Sequence, residues 1–218
     1  MRETHRHSGK LTSVSPAPDR STGGGDGLAL AAVRAVGPTE RRSEALGVPA
    51  LGEIVGAKYV IYGDAEKLEA YSHDEVAEKK YAVMPQCVVR PQSAGEIAAI
   101  MKLANRKLVP VTPRGAGSGL SGGAVPIHGG IVLLCDRMNR VLEIDLANMM
   151  ITVEPGVVTN EINELVRGDG LFYAGYPMSL ETCYIGGNVA ENAGGGKAVK
   201  YGVTGRYVTG LEVVTPTG

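Results

Sequence analysis

Val111-Thr112-Pro113-Arg114-Gly115-Ala116-Gly117-Ser118-Gly119-Leu120-Ser121-Gly122-Gly123 is the stretch on which the fold turns. It follows a short apolar segment, Leu108 to Val111, whose pattern predicts a strand. Gly117 through Gly122 form a G-x-G-x-x-G, which by itself weakly suggests a Rossmann dinucleotide site. A Rossmann fingerprint must open a helix, so that the pyrophosphate sits on the helix N-terminus. Here Ala124-Val125-Pro126-Ile127-His128-Gly129-Gly130 follows, and a helix will not run through a proline and a double glycine. A P-loop is excluded too, because Gly196-Lys197 is succeeded by Ala198 rather than Ser or Thr. Gly119-Leu120-Ser121-Gly122-Gly123 spells G-x-S-x-G, but without a following helix it makes no nucleophile elbow.

Any anion bound here must therefore be held by the loop itself. Successive N–H groups in a glycine-rich turn can converge into an anion-binding nest without a helix. Arg114 brings a fixed positive charge and several donors beside it, which suits the two phosphates of a pyrophosphate. The other reading is a long turn between strands with no ligand. Both remain open on these residues alone.

A second cluster lies downstream, Ile185-Gly186-Gly187-Asn188-Val189-Ala190-Glu191-Asn192-Ala193-Gly194-Gly195-Gly196. Read as a short helix from Gly187, it places Asn188 and Asn192 on one face and offers almost no side-chain volume. Such a surface lets a flat ring or a polyol chain lie against backbone. The competing reading is close packing of a small-residue helix on a sheet.

Outward from these clusters, residues 1–49 are rich in Ser, Gly, Pro and Arg without sustained periodicity, and predict a disordered arm, or an over-extended start of the coding region. Residues 50–82 read as a polar, helical lead-in, with Leu68 and Tyr71 on one face. Residues 83–218 read as an α+β domain. Within it Cys87-Val88-Val89 predicts a strand closed by Pro91. Ser93 and Glu96 form a capping box opening a helix through Asn105, whose core face is Ile97, Ile100, Met101 and Ala104. Ile131 to Leu134, Val141 to Ile144 and Ile151 to Glu154 predict strands. Thr159 is placed as cap of a helix to Arg167, and Tyr207 to Pro216 as a last strand centred on Leu211 to Val214.

The 31 glycines are roughly double the ordinary share of about 7% and are concentrated in the two clusters. A net charge of −1 leaves no footprint for nucleic acid, and no apolar run is long enough for a transmembrane helix. Cys87, Cys135 and Cys183 show neither a disulfide framework nor metal-ligand spacing, which favours a reducing, cytoplasmic setting and no metal. His73 is weighed as a base and as a surface or packing residue, and the absence of an evident partner favours the second.

Pro113 to Gly123 resembles the pyrophosphate loop of the vanillyl-alcohol oxidase/p-cresol methylhydroxylase (PCMH) family of FAD enzymes. Pro177, Ser179 and Cys183, then Ile185 to Gly195, Lys200 to Thr204 and Gly210 to Val214, resemble that family's second flavin-contacting segment. The resemblance runs from about Tyr71 to Gly218 and is strongest to the glycolate oxidase FAD subunit and D-lactate dehydrogenase branch. It implies an α+β PCMH-type FAD-binding domain, incomplete at its C-terminus because relatives continue into a substrate-holding cap. Ser118 stands about where some relatives carry a flavin-linking His, so non-covalent FAD is implied. The implied pyrophosphate contacts are Arg114, Gly115, Ala116, Gly117, Ser118, Gly119 and Leu120. The implied flavin and ribityl contacts are Pro177, Ser179, Gly186, Gly187, Asn192, Gly194 and Gly195. No catalytic acid or base is assigned. The parent enzyme is expected to oxidise a small D-2-hydroxy acid, glycolate or D-lactate, by hydride transfer to flavin N5, with other oxidase subunits as partners. The alternative is a non-enzymatic fragment that cannot retain FAD alone. Two departures stand out. Tyr184 replaces the more usual Thr before Ile185-Gly186-Gly187, and Gly196-Lys197-Ala198 is an unusual linker.

Overall fold

Ile131 to Leu134 are consecutive apolar residues, and only a strand covered on both faces buries all of them. The computed structural model, which describes residues 43–76 and 81–218, shows this arrangement. The chain runs α1 (Val48–Val55), β1 (Val60–Tyr62), α2 (Ala65–Glu69), β2 (Cys87–Val89), α3 (Ala94–Lys107), β3 (Val111–Arg114) and β4 (Ile131–Leu134). A hairpin of β5 (Val141–Asp145) and β6 (Met150–Val153) follows, then α4 (Thr159–Val166), α5 (Ile185–Ala190) and α6 (Ala198–Tyr201).

The first sheet has the order β1-β2-β4-β3. β4 is parallel to β2 and to β3, and β1 is antiparallel to β2. Alternation along β2 and β4 divides the core between the two faces. Cys87, Val89, Ile131 and Leu133 pack against Leu51 and Val55 of α1 and Ile100, Leu103 and Ala104 of α3. Val88, Val132 and Leu134 point the other way, onto Leu68 of α2 with Tyr71 beside it. Each aliphatic side chain so buried stabilises the fold by about 1.5–3 kcal/mol. The second sheet is the β5–β6 pair, where Val141, Ile151 and Val153 pack onto Val157, Ile162 and Ile185.

The capping box forms as expected. Ser93 Oγ accepts from Glu96 N at 3.2 Å, while the Glu96 carboxylate reaches back one residue further, to Gln92 N at 2.8 Å. Several expectations need correction. Residues 1–42 of the predicted arm lie outside the described residues, but residues 43–46 are helical, Leu46 is buried and α1 begins at Val48. The lead-in is not wholly helical, since Val60–Tyr62 form β1 by pairing with β2. The strand expected at Leu108 begins at Val111, because α3 runs to Lys107 and Leu108 takes the left-handed capping position at φ 53°. Thr159 is the first residue of α4 rather than its cap; Val158 holds the cap position. Leu211 to Val214 form no strand: the segment pairs with no described strand, and Leu211 and Val213 are exposed.

Candidate cofactor-binding site

β3 delivers the first glycine cluster at the C-terminal end of a parallel strand, the end at which α/β sheets open their ligand crevices. Cys135 N donates to Arg114 O at 3.0 Å, so the ladder holds through the last residue of β3 before the chain leaves as a loop. No helix follows within 115–130, which agrees with the rejection of a Rossmann site.

Arg114 braces the loop from behind. Its side chain is buried, and three of its N–H donors go to main-chain carbonyls. Nη1 donates to His73 O at 2.7 Å and Ala124 O at 3.2 Å, and Nη2 to Ala70 O at 3.3 Å. The guanidinium also lies 5.8 Å from the Tyr71 ring centre. Burial lowers the pKa of Arg114 from its ordinary value, opposed by the nearby Asp74 charge. The group is a strut behind the loop. Gly117 rests against it: a Cβ there would collide with the guanidinium, and φ is +78°.

From Gly115 to Ser121 the backbone N–H groups donate to no other described group. Ala116, Gly119 and Leu120 are exposed, Ser118 is half-buried, and a Cβ on Gly119 would meet nothing within 4 Å. A run of unengaged donors on a loop with open backbone is the requirement of an anion nest.

The second cluster is carried in by pairing with the residues before α4. Thr159 N donates to Cys183 O at 3.0 Å, Ile185 N to Val157 O at 2.9 Å and Gly186 N to Pro155 O at 2.9 Å. Gly186 is glycine because its backbone rides on Pro155, where a Cβ would stand 2.6 Å from the proline Cβ. Beneath it lies a buried polar knot, in which Asn188 Nδ2 donates to Thr159 Oγ1 at 2.5 Å and Cys183 Sγ approaches the same oxygen at 3.3 Å.

These supports bring the two clusters together. A Cβ on Gly115 would touch Tyr184 Cβ at 3.6 Å and Gly187 N at 3.8 Å, whereas Gly187 faces open space. The Ser121 hydroxyl donates to Glu191, whose carboxylate also covers Gly123. Tyr184 is half-buried beside Gly115, and burial pushes its hydroxyl pKa up. Pro177, Ser179, Gly194 and Gly195 are held by other contacts. Gly195 packs against the Tyr176–Pro177 backbone, Gly194 against Val203, and Ser179 O accepts from Thr182 N and Cys183 N. Asn192 is not on a helix face with Asn188. α5 ends at Ala190, Asn192 turns left-handed at φ 52°, and its Oδ1 accepts from Gly205 N at 2.8 Å. At Gly186, Gly194 and Gly195 protein neighbours take the space a side chain would need, so only the backbone of these residues is left for a ligand.

Two site residues escaped the sequence reading. Asp74 is buried, and its Oδ2 accepts from Gly122 N at 2.8 Å. Glu191 spans the clusters. Asp74 sits next to His73, the residue weighed for chemistry, but nothing local marks it as the one that reaches the loop. His73 is exposed, and its carbonyl is what serves Arg114. Among the described residues no group of His, Cys, Asp and Glu is placed to hold a metal ion, and no helix is long and apolar enough to cross a membrane.

The fold and the paired loops set a row of unengaged backbone donors at the C-terminal end of a parallel strand, an arrangement suited to an anion. Residues 85–218 match the family model described as the FAD binding domain, and the chain belongs to that family. It is 46% identical over 148 residues to the glycolate oxidase subunit GlcD of Bacillus subtilis (strain 168), covering 68% of this chain and 31% of that protein. It is 42% identical over 164 residues to the D-lactate dehydrogenase of Anaerostipes hadrus, covering 75% and 34%. The chain thus spans about a third of the length of these relatives. Its fold is shared with alkyldihydroxyacetonephosphate synthase, at a TM-score of 0.70, 23% identity and coverage of 78% of this chain and 33% of that one. The family resemblance read from the two glycine clusters is borne out.

Proposed function

We propose that this chain is the non-covalent FAD-binding portion of an enzyme that oxidises a small D-2-hydroxy acid of the glycolate or D-lactate type. The observation that carries the reading is the row of free N–H groups from Gly115 to Ser121, opening beside Gly187. Those donors would take the pyrophosphate, with Arg114 fixing the loop from behind. The backbone at Gly186–Gly187, with Pro177, Ser179, Asn192, Gly194 and Gly195 further along, would form the flavin and ribityl side. Ser118 stands about where some relatives carry a flavin-linking His, which supports non-covalent binding. The bound flavin would supply hydride acceptance at N5, and the protein's part is positioning and electronic tuning. The names of the two relatives support the substrate class, and the word subunit in one of them supports assembly with other oxidase subunits. The free thiols Cys87, Cys135 and Cys183 support a cytoplasmic setting.

A second reading is favoured by the exposed Leu211 and Val213 on a segment that pairs with no described strand. In it the chain keeps the family fold but does not retain FAD alone. An absorbance spectrum after incubation with FAD and gel filtration separates the two. A retained flavin band, released on denaturation, supports self-sufficient non-covalent binding. Colourless protein rejects it and favours the second reading.

A further inference from the structure

The loop that would take the pyrophosphate is stapled to a segment preceding the family match. Arg114 donates to Ala70 O and His73 O, and Gly122 N donates to Asp74 Oδ2. Glu75 N donates to Gly119 O at 3.0 Å. Asp74 Oδ1 meanwhile accepts from Val76 N at 3.0 Å, so one buried carboxylate bridges the two segments. Ala70 to Val76 lie outside residues 85–218. The staple takes up the Gly119 carbonyl and the Gly122 N–H, leaving the N–H groups between Gly115 and Ser121 unspent.

We propose that Asp74 is a positioning residue for FAD, which fixes the Gly115–Gly122 loop in its donor-presenting form from the Ala70–Val76 segment. The proposal rests on the FAD-binding reading above. Asp74 touches no phosphate. It acts through Gly122 N and through the backbone of its own turn. A carboxylate accepting two N–H bonds in a buried place is hard to replace, because its hydrogen bonds are charge-assisted and water cannot easily substitute.

The test uses the full chain, as wild type and as Asp74→Ala and Asp74→Asn. Dissociation constants for FAD are measured by flavin fluorescence, and those for ADP by competition, at a temperature where circular dichroism shows each variant folded. Asp74→Ala is expected to weaken FAD and ADP in the same proportion, by about tenfold or more, since both use the loop. Asp74→Asn keeps one carbonyl acceptor and should fall between, a partial rescue that a general loss of stability would not produce. Wild type that takes up FAD, with variants that bind it equally well, overturns the proposal alone. Wild type that takes up no FAD overturns the binding reading and the proposal with it. Should the variants fail to fold, amide exchange on the wild type decides. FAD must protect residues 70–76 together with 115–122, and protection of 115–122 alone overturns the proposal.

Discussion

The Ser121 hydroxyl donates to the Glu191 carboxylate, and this one contact joins the loop after β3 to the end of α5 across seventy positions of sequence. It sets a negative charge at the rim of a loop whose free donors suit an anion. The bond helps hold the clusters in register, while the charge would oppose a pyrophosphate bound as proposed.

Glu191→Gln separates these two effects. The amide oxygen can still accept from Ser121, but the charge is gone. FAD affinity is expected to rise by roughly two- to fivefold at low ionic strength, and the gain should shrink as salt screens the site. Titrations of both proteins at low and high salt check this.

Gly117→Ala tests the strut. The added methyl must enter the Arg114 guanidinium at a backbone angle of +78°, which L-residues rarely adopt. Strain and overpacking together should cost about 2–4 kcal/mol, read as a lower urea midpoint at unchanged slope.

Arg114→Lys should not behave as a conservative change. One ammonium cannot reach the carbonyls of Ala70, His73 and Ala124 in place of a planar fork. A loss of about 2–4 kcal/mol is expected, with faster proteolysis around residues 70–76. Equal stability to wild type would show that the guanidinium contacts are dispensable.

Glu154 gives the acid side of the stability profile. Its hydrogen bonds to Arg140, Nη2 at 2.7 Å and backbone N at 2.8 Å, hold its carboxyl below the ordinary value of 4.5, against an opposing effect of burial. The pKa is lower folded than unfolded, so the stabilisation is complete above about 4.5 and is lost as pH falls through the folded value. Urea midpoints from pH 7 down to 3 should decline, and Glu154→Gln should flatten that decline while lowering the pH 7 value. Parallel curves would remove Glu154 from the account.

Much of the fold was legible because its signals are local. The Ser93–Glu96 box, the apolar run at 131–134 and the Leu68–Tyr71 spacing each carry their own physics, and each holds in three dimensions. The failures concern residues whose state depends on a distant partner. Val60–Tyr62 become a strand only beside β2, and Leu211 to Val214 have strand-forming side chains but no described strand to pair with. Arg114 was recognised as part of the site, but its direction was set by carbonyls some forty residues away that no local pattern announces. Asp74 was hidden for the same reason. The glycines were legible as a site, yet which of them face open space and which face Pro155, Val203 or Tyr176 emerges only from packing.

Pro113 has a consequence for how this sheet meets other chains. Pro110 O accepts from Ile131 N and Arg114 O from Cys135 N, so alternate residues of β3, Val111 and Pro113, turn their main-chain groups to the side on which no described strand lies. On that side Pro113 has no N–H to offer, and the opposite border, β1, is only three residues long. Neither border is a template on which a foreign strand can extend the ladder. The residue that stands directly before the strut thus blunts the β3 border against the addition of a foreign strand.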